Sequence, residues 1–153
     1  MTNLPRPAPD FALPADDGST VSRSSLAGAP FVLFFYPRDN TPGCTTEAKA
    51  FSALKPEFDA LGIAVYGVSK DSLKSHAGFR AKQGLTVGLL SDAGSDASEA
   101  FGVWQLKKLY GREFMGLVRS TFLVDAAGQI VVEWPKVKVA GHAEAVLDAA
   151  RAL

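Results

Sequence analysis

FVLFFYPRDNTPGCTTEAKAF, residues 31–51, carries the clearest structural pattern in this chain of 153 residues. It opens with six apolar residues without alternation, 31–36, a pattern typical of a strand buried on both faces of a sheet. After a short polar loop, the apolar residues recur every three or four positions, which predicts a helix over 45–61. A buried strand that leads into a helix indicates an α/β protein.

Two prolines affect the predicted helix. Pro42 suits a first helical position, because the N–H that proline lacks would have no helical partner there. Pro56 lies inside the periodic segment, where it removes a hydrogen bond and its ring clashes with the preceding turn. We therefore expect helical structure from near Pro42, with a kink or break near Lys55.

The rest of the chain continues the α/β plan. An N-terminal hairpin is indicated by two short apolar segments around Asp16-Asp17-Gly18. The further predicted elements are strands at 63–68, 85–90, 121–125 and 129–134 and helices at 72–83 and 144–152. Residues 94–118 show no clean period and receive no assignment. We predict one domain, residues 1–153, with a mixed central sheet flanked by helices and an N-terminal hairpin.

Composition excludes several classes of function. Lys plus Arg and Asp plus Glu number 16 each, so no net field attracts nucleic acid or a membrane surface. The single cysteine allows no intrachain disulfide and no thiolate-rich metal site. His76 and His142 lack companions at ligand spacing, which favours surface or helix-capping positions over metal binding. We expect a cytoplasmic protein without cofactor or metal, since no apolar run suits a signal peptide or a membrane span.

Cys44 follows Pro42 by two positions and should lie in the first turn of the helix. Backbone N–H groups there have no helical partner, and their partial positive charge stabilises a thiolate, which is the nucleophilic form. The alternative is a small buried apolar residue, the usual place of a free cysteine. Thr41 could equally be a plain helix N-cap. The residues by themselves leave these alternatives open.

The segment FYPRDNTPGCTTEAKAF, 35–51, is similar to the active-site segment of the peroxiredoxins, and most similar to the peroxiredoxin Q subfamily, also called bacterioferritin comigratory protein. GVSKDSLKSHAGFRAKQGL (67–85) and FGVWQLKKLYGREFMGLVRSTFLVDAAGQIVVEWPKVKVAGHAEAVL (101–147) resemble the same subfamily in the same order. The resemblance covers nearly the whole chain. It implies a thioredoxin-like fold and the reduction of hydrogen peroxide and organic hydroperoxides.

The resemblance also implies site residues. Cys44 corresponds to the cysteine that attacks peroxide, and Thr41 and Pro37 match the family's Pro-x-x-x-Thr-x-x-Cys motif. Arg119 matches its active-site arginine, which would stabilise the thiolate and hold the peroxide with fixed donors. Thr41 would accept from the peroxide, Pro37 would shield the sulfur, and Glu47 would orient Arg119. Without the motif, Arg119 would be a solvated charge and Glu47 an acid that favours the helix dipole.

The chain departs from many members of the subfamily because it lacks a second, resolving cysteine. Lys49 occupies one place where that residue occurs, and residues 75–80, the other place, contain no cysteine. We therefore expect turnover to need an external thiol of the thioredoxin, glutaredoxin or glutathione type. We expect a monomer, or else a weak or disulfide-linked dimer. The alternative functions are a non-catalytic thiol redox sensor and a one-cysteine thiol–disulfide exchange protein.

Overall fold

The computed structural model of the protein describes residues 3–153. In chain order its elements are β1 (Arg6–Pro7), β2 (Ala12–Pro14), β3 (Thr20–Ser22), β4 (Phe31–Phe35), α1 (Pro42–Ala60), β5 (Ala64–Ser69), α2 (Leu73–Gln83), β6 (Gly88–Ser91), α3 (Ala97–Ala100), β7 (Trp104–Leu109), β8 (Arg112–Leu117), β9 (Ser120–Val124), β10 (Gln129–Trp134) and α4 (His142–Arg151). Six strands form one sheet in the order β1-β10-β9-β4-β5-β6. The predicted mixed sheet is confirmed, because β4 runs parallel to β5 and antiparallel to β9.

Strand β4 lies in the middle of the sheet, and both of its faces are buried, as its sequence predicted. Val32 and Phe34 join an apolar cluster that includes residues of α1, α2 and α4. Leu33 and Phe35 join a second cluster, which includes residues of β2, β3 and α3. The unbroken apolar run therefore reflects a sheet that is covered on both sides.

Helix α1 runs without interruption from Pro42 to Ala60, so of the predicted kink or break near Lys55 the break does not occur. Proline at position 56 cannot donate to the carbonyl of Ser52, four residues earlier. That carbonyl instead accepts a hydrogen bond of 3.1 Å from Thr86 Oγ1. Because a neighbouring segment satisfies the free carbonyl, the helix continues past Pro56.

Most other predicted elements are present with small shifts in their bounds. The N-terminal hairpin is the antiparallel pair β2–β3, and α2 ends at Gly84, whose φ of 65° is the left-handed conformation that glycine favours. The strand predicted at 85–90 begins only at Gly88. The carbonyls of Leu85 and Val87 accept hydrogen bonds from Arg80, and these bonds hold the segment before the strand close to α2.

The unassigned segment 94–118 contains helix α3 and a hairpin, β7–β8, that forms a sheet of its own. Most side chains of the hairpin are exposed on both faces, so no apolar period marks its strands. Its turn is Tyr110-Gly111, where φ is 52° and 76°. Both values are positive, as in the two-residue turns that suit the twist of a hairpin.

Both histidines are buried, which contradicts the predicted surface or capping positions. His76 is 0% exposed and lies within α2, while His142 is 6% exposed and is the first residue of α4. The ring of His142 lies 2.7 Å from Thr121 Oγ1, and burial lowers its pKa to about 4. Among residues 3–153, no helix has the length and apolar character needed to span a membrane.

Candidate active site

The sheet brings two distant parts of the sequence together at one edge. Strands β4 and β9 are antiparallel neighbours in which Phe35 pairs with Ser120. The chain that leaves β4 at Tyr36 therefore lies beside the chain that enters β9 at Arg119. The connection 36–41 then leads from β4 into α1, and its last five residues, the loop 37–41, place the first turn of α1 at the same edge.

Cys44 is the third residue of α1, in the predicted first turn, and is 1% exposed. The first hydrogen bond of the helix runs from Thr45 N to Thr41 O over 2.9 Å. The N–H groups of Gly43 and Cys44 precede it and therefore have no partner within the helix. The sulfur lies among apolar neighbours, as a structural cysteine would. It also contacts a cation, which a purely apolar role does not require.

That cation is Arg119, which divides its donors between two residues of α1. Nη2 donates to Cys44 Sγ over 3.4 Å, and Nη1 donates to Glu47 Oε1 over 2.7 Å. The side chain is only 17% exposed. Burial alone would lower the pKa of Arg119, but the charges of Glu47 and the Cys44 sulfur outweigh it and raise the pKa. Arg119 is therefore not the solvated charge that its isolated position would suggest.

Glu47 is a core residue and not an exposed acid of the first turn. It is 1% exposed, and its Oε2 has no hydrogen-bond partner within residues 3–153. Burial raises its pKa to about 7, although the charge and hydrogen bond of Arg119 act in the opposite direction. Glu47 thus fixes one side of the guanidinium while the other side faces the sulfur.

Thr41 occupies the N-cap position of α1, but its side chain makes no cap hydrogen bond in the described structure. Its Oγ1 instead donates to the carbonyl of Arg38 over 2.8 Å. The hydroxyl hydrogen is thereby used, and the oxygen lone pairs can accept from a ligand. Pro37 is exposed at the start of the same loop, and its shielding role stays a prediction.

Two residues near the sulfur were not predicted. A Cβ atom on Gly43 would lie 3.1 Å from Arg119 Nη2, so the glycine makes room for the guanidinium. Lys107, on β7, has a pKa lowered by burial and by the charge of Arg119, while the nearby Cys44 sulfur raises it. The sequence PGC could have pointed to Gly43. No sequence pattern pointed to Lys107, because its strand has no apolar period.

A mixed sheet with a buried thiol in a helical first turn, beside a guanidinium, defines a thiol-based redox protein with a thioredoxin-like fold. The model of the AhpC/TSA family matches residues 4–133. Peroxiredoxin Bcp of Xanthomonas campestris pv. campestris is 48% identical over 99% of this chain and 95% of its own length.

Solved structures show the same relationship. The bacterioferritin comigratory protein of Xanthomonas campestris superposes with a TM-score of 0.88 at 48% identity, over 93% of this chain and 90% of the other. A variant of Xylella fastidiosa PrxQ superposes with a TM-score of 0.92 at 39% identity, over 99% of this chain and 97% of the other. The chain belongs to the AhpC/TSA family, as a peroxiredoxin of the Bcp or Q type and hence a thiol peroxidase. The resemblance stated from the sequence is thereby confirmed.

Proposed function

We propose that Cys44 is the residue through which this peroxiredoxin reduces hydrogen peroxide and organic hydroperoxides. The observation that carries the proposal is the contact of 3.4 Å between Arg119 Nη2 and the buried Cys44 Sγ. A fixed cation at this distance stabilises the thiolate and offers donors for a peroxide oxygen. Alkyl peroxide reduction is the activity described for the Xanthomonas campestris protein, which supports the inclusion of organic hydroperoxides.

In the first step the Cys44 thiolate attacks the terminal oxygen of the peroxide, an S–O bond forms and the O–O bond breaks. The sulfur is oxidised to a sulfenic acid, and the other oxygen leaves as hydroxide or alkoxide and takes a proton from water. Arg119 stabilises the negative charge as it moves from the sulfur to the leaving oxygen. Glu47 holds the guanidinium in place through the hydrogen bond of 2.7 Å.

Thr41 orients the peroxide in this proposal. Its hydroxyl hydrogen is donated to Arg38 O, so its lone pairs can accept from the peroxide O–H. Accepting that hydrogen bond directs the terminal oxygen toward the sulfur. Pro37 covers the approach without offering a competing donor, because proline has no N–H.

The second half of the cycle needs a thiol from outside the chain. Cys44 is the only cysteine, so its sulfenic acid condenses with an external thiol, and water leaves as a mixed disulfide forms. A second thiol then releases Cys44 by exchange. Because Cys44 is 1% exposed, the first turn of α1 has to unwind before either thiol reaches the sulfur.

We assign the reductant to the class of thioredoxin, glutaredoxin or glutathione. A lone catalytic thiol requires a compartment in which thiols are kept reduced, and this requirement favours the cytoplasm. We propose a monomer as the working form, with a Cys44–Cys44 link between two chains as a side product.

The test is peroxide consumption by wild-type protein and by Cys44→Ser, each with a panel of monothiols and redoxins. Wild-type protein should turn over with at least one of these thiols, and Cys44→Ser should consume no more peroxide than the thiol alone. Activity retained by Cys44→Ser would refute the proposal. Wild-type protein that oxidises once and is restored by none of the thiols would be a sensor and not a peroxidase.

A further inference from the structure

A second buried polar cluster anchors the loop 37–41 to the protein core. Its centre is Asp39, which lies two residues before Thr41. The side chain of Asp39 is 1% exposed. Asp39 Oδ1 accepts from Tyr36 Oη over 2.6 Å, and Oδ2 accepts from Ser75 Oγ over 2.8 Å and lies 2.7 Å from His76 Nδ1. One carboxylate thus connects the end of β4, the active-site loop and helix α2.

The backbone of the loop is fixed at the same residue. Asp39 N donates to Asp71 Oδ2 over 2.8 Å, and Asp71 Oδ2 also accepts from Ser69 Oγ over 2.6 Å. The next loop residue, Asn40, has a φ of 61°, a left-handed conformation that a non-glycine residue adopts at some cost. The hydrogen bonds on Asp39 therefore fix the backbone directly before this left-handed turn, which asparagine adopts more readily than most residues.

The contacts of His76 show where its protons lie. Nε2 is 2.9 Å from the carbonyl oxygen of Leu90, which can only accept, so Nε2 carries a hydrogen. Nδ1 faces the Asp39 carboxylate, whose other contacts are donors, so a second proton lies between Nδ1 and Oδ2. Asp39, Asp71 and His76 could offer ligand atoms to a metal. At 2.7 Å, however, Nδ1 and Oδ2 are at hydrogen-bond distance and share a proton.

The charged groups that face His76 agree with this assignment. Burial alone would lower the pKa of His76, but Asp39 and the more distant Asp71 outweigh it and raise the pKa. Burial alone would raise the pKa of Asp39, but the hydrogen bonds from His76, Tyr36 and Ser75 outweigh it and lower the pKa. The pair is therefore a buried imidazolium and carboxylate.

We propose that the buried Asp39–His76 pair is a positioning element of the peroxidase, which fixes the loop 37–41 so that Thr41 faces a peroxide at Cys44. Asp39 ties the loop to Tyr36, Ser75 and His76. Within the loop, Thr41 Oγ1 donates to Arg38 O. Neither Asp39 nor His76 touches the substrate in this arrangement. The inference rests on the proposed function of Cys44 and Thr41.

The test compares two reactions of reduced protein at Cys44. Oxidation by hydrogen peroxide needs Thr41 in place, whereas alkylation by iodoacetamide needs the thiolate and access to the sulfur but no contact with Thr41. Asp39→Ala should slow oxidation at least tenfold and should not slow alkylation. Asp39→Asn should recover oxidation to within threefold, because its amide can donate to a neutral His76 Nδ1 and still accept from Tyr36.

A matched control uses the opposite end of α2. Arg80 forms an ion pair with Asp16, whose side chain is 3% exposed, and within residues 3–153 the other side-chain hydrogen bonds of Arg80 go to the carbonyls of Leu85 and Val87 and not to loop 37–41. Asp16→Ala should lower the melting temperature and leave the oxidation rate within twofold of wild type. If Asp16→Ala slowed oxidation as much as Asp39→Ala, general loosening of α2 would explain the effect and the proposal would fail.

Two further measurements keep the proposal testable if Asp39→Ala does not fold. Tyr36→Phe removes one hydrogen bond to Asp39 and keeps the ring, and it should slow oxidation twofold to tenfold. Nitrogen-15 NMR of wild-type protein at neutral pH should show hydrogens on both ring nitrogens of His76. An unchanged oxidation rate in Tyr36→Phe would overturn the positioning role, and one bare ring nitrogen in wild type would overturn the assignment of the pair as imidazolium and carboxylate. Loss of all peroxide reduction in wild type would instead refute the proposed function.

Discussion

Arg119→Lys is the substitution that tests the geometry of the site most sharply. Arg119 donates through Nη1 to Glu47 and through Nη2 to Cys44 Sγ, 2.7 and 3.4 Å away. Lysine keeps the charge but has a single nitrogen, which cannot lie along both directions at once. The variant therefore loses one charge-assisted hydrogen bond, worth about 1.5–3 kcal/mol. If that bond acts in the transition state, oxidation of Cys44 slows by about 10- to 160-fold.

The assay is rapid-quench oxidation of reduced protein by hydrogen peroxide, with the sulfenic acid trapped and quantified by mass. Arg151→Lys is a matched control, because Arg151 is 53% exposed and lines a cavity with Pro30, at the opposite end of β4. Its rate should stay within twofold of wild type. If Arg119→Lys also oxidised within twofold of wild type, the forked contact would have no part in the chemistry.

Three further outcomes are expected. Thr41→Val should slow the same oxidation about tenfold or more, because the loss of one hydrogen bond of about 1.5 kcal/mol has that effect. Thr41→Ser keeps the hydroxyl and should oxidise at the wild-type rate. Equal rates for the two variants would exclude a role for the hydroxyl. The pKa of Glu47 is raised from 4.5 to about 7, so between these values Glu47 is deprotonated in the unfolded chain and protonated in the folded one, and its contribution to wild-type stability falls as pH rises. Glu47→Gln removes this loss, which amounts to about 3 kcal/mol, and urea unfolding at pH 4.5 and 7.5 should show the variant gaining relative to wild type. Hydrogen exchange should differ most between reduced and oxidised protein over residues 42–46, because buried Cys44 has to be exposed for the reductant. Equal protection of these residues in the two forms would contradict the unwinding of the first turn of α1.

The parts of the site that could be predicted are those close together in sequence. Pro42 and the apolar period placed Cys44 in the first turn of a helix, and the structure has it there. Arg119 could not be reached in this way, because 75 positions separate it from Cys44 and only the pairing of β4 with β9 joins them. The resemblance to the peroxiredoxins supplied Arg119, and local physical reasoning did not.

Two of the wrong predictions share a physical cause, since the deciding partner of Pro56 and of His76 lies elsewhere in the chain, whereas the hairpin β7–β8 was not assigned for a different reason. Pro56 would break an isolated helix, but Thr86 satisfies the carbonyl that it leaves free. The hairpin β7–β8 shows no period because few of its residues are buried. His76 was expected at the surface or at a cap, yet the carboxylate of Asp39 makes its burial possible.

Intact-mass spectrometry of reduced protein given one equivalent of hydrogen peroxide tests most directly whether Cys44 alone carries the reaction. The protein should gain one oxygen atom, located at Cys44, and added glutathione should convert that species to a mixed disulfide that a redoxin or a second thiol releases. Without thiol, excess peroxide should add a second oxygen and stop the reaction. Consumption of many equivalents of peroxide with no thiol present, or oxygen gained at a site other than Cys44, would contradict the one-cysteine mechanism.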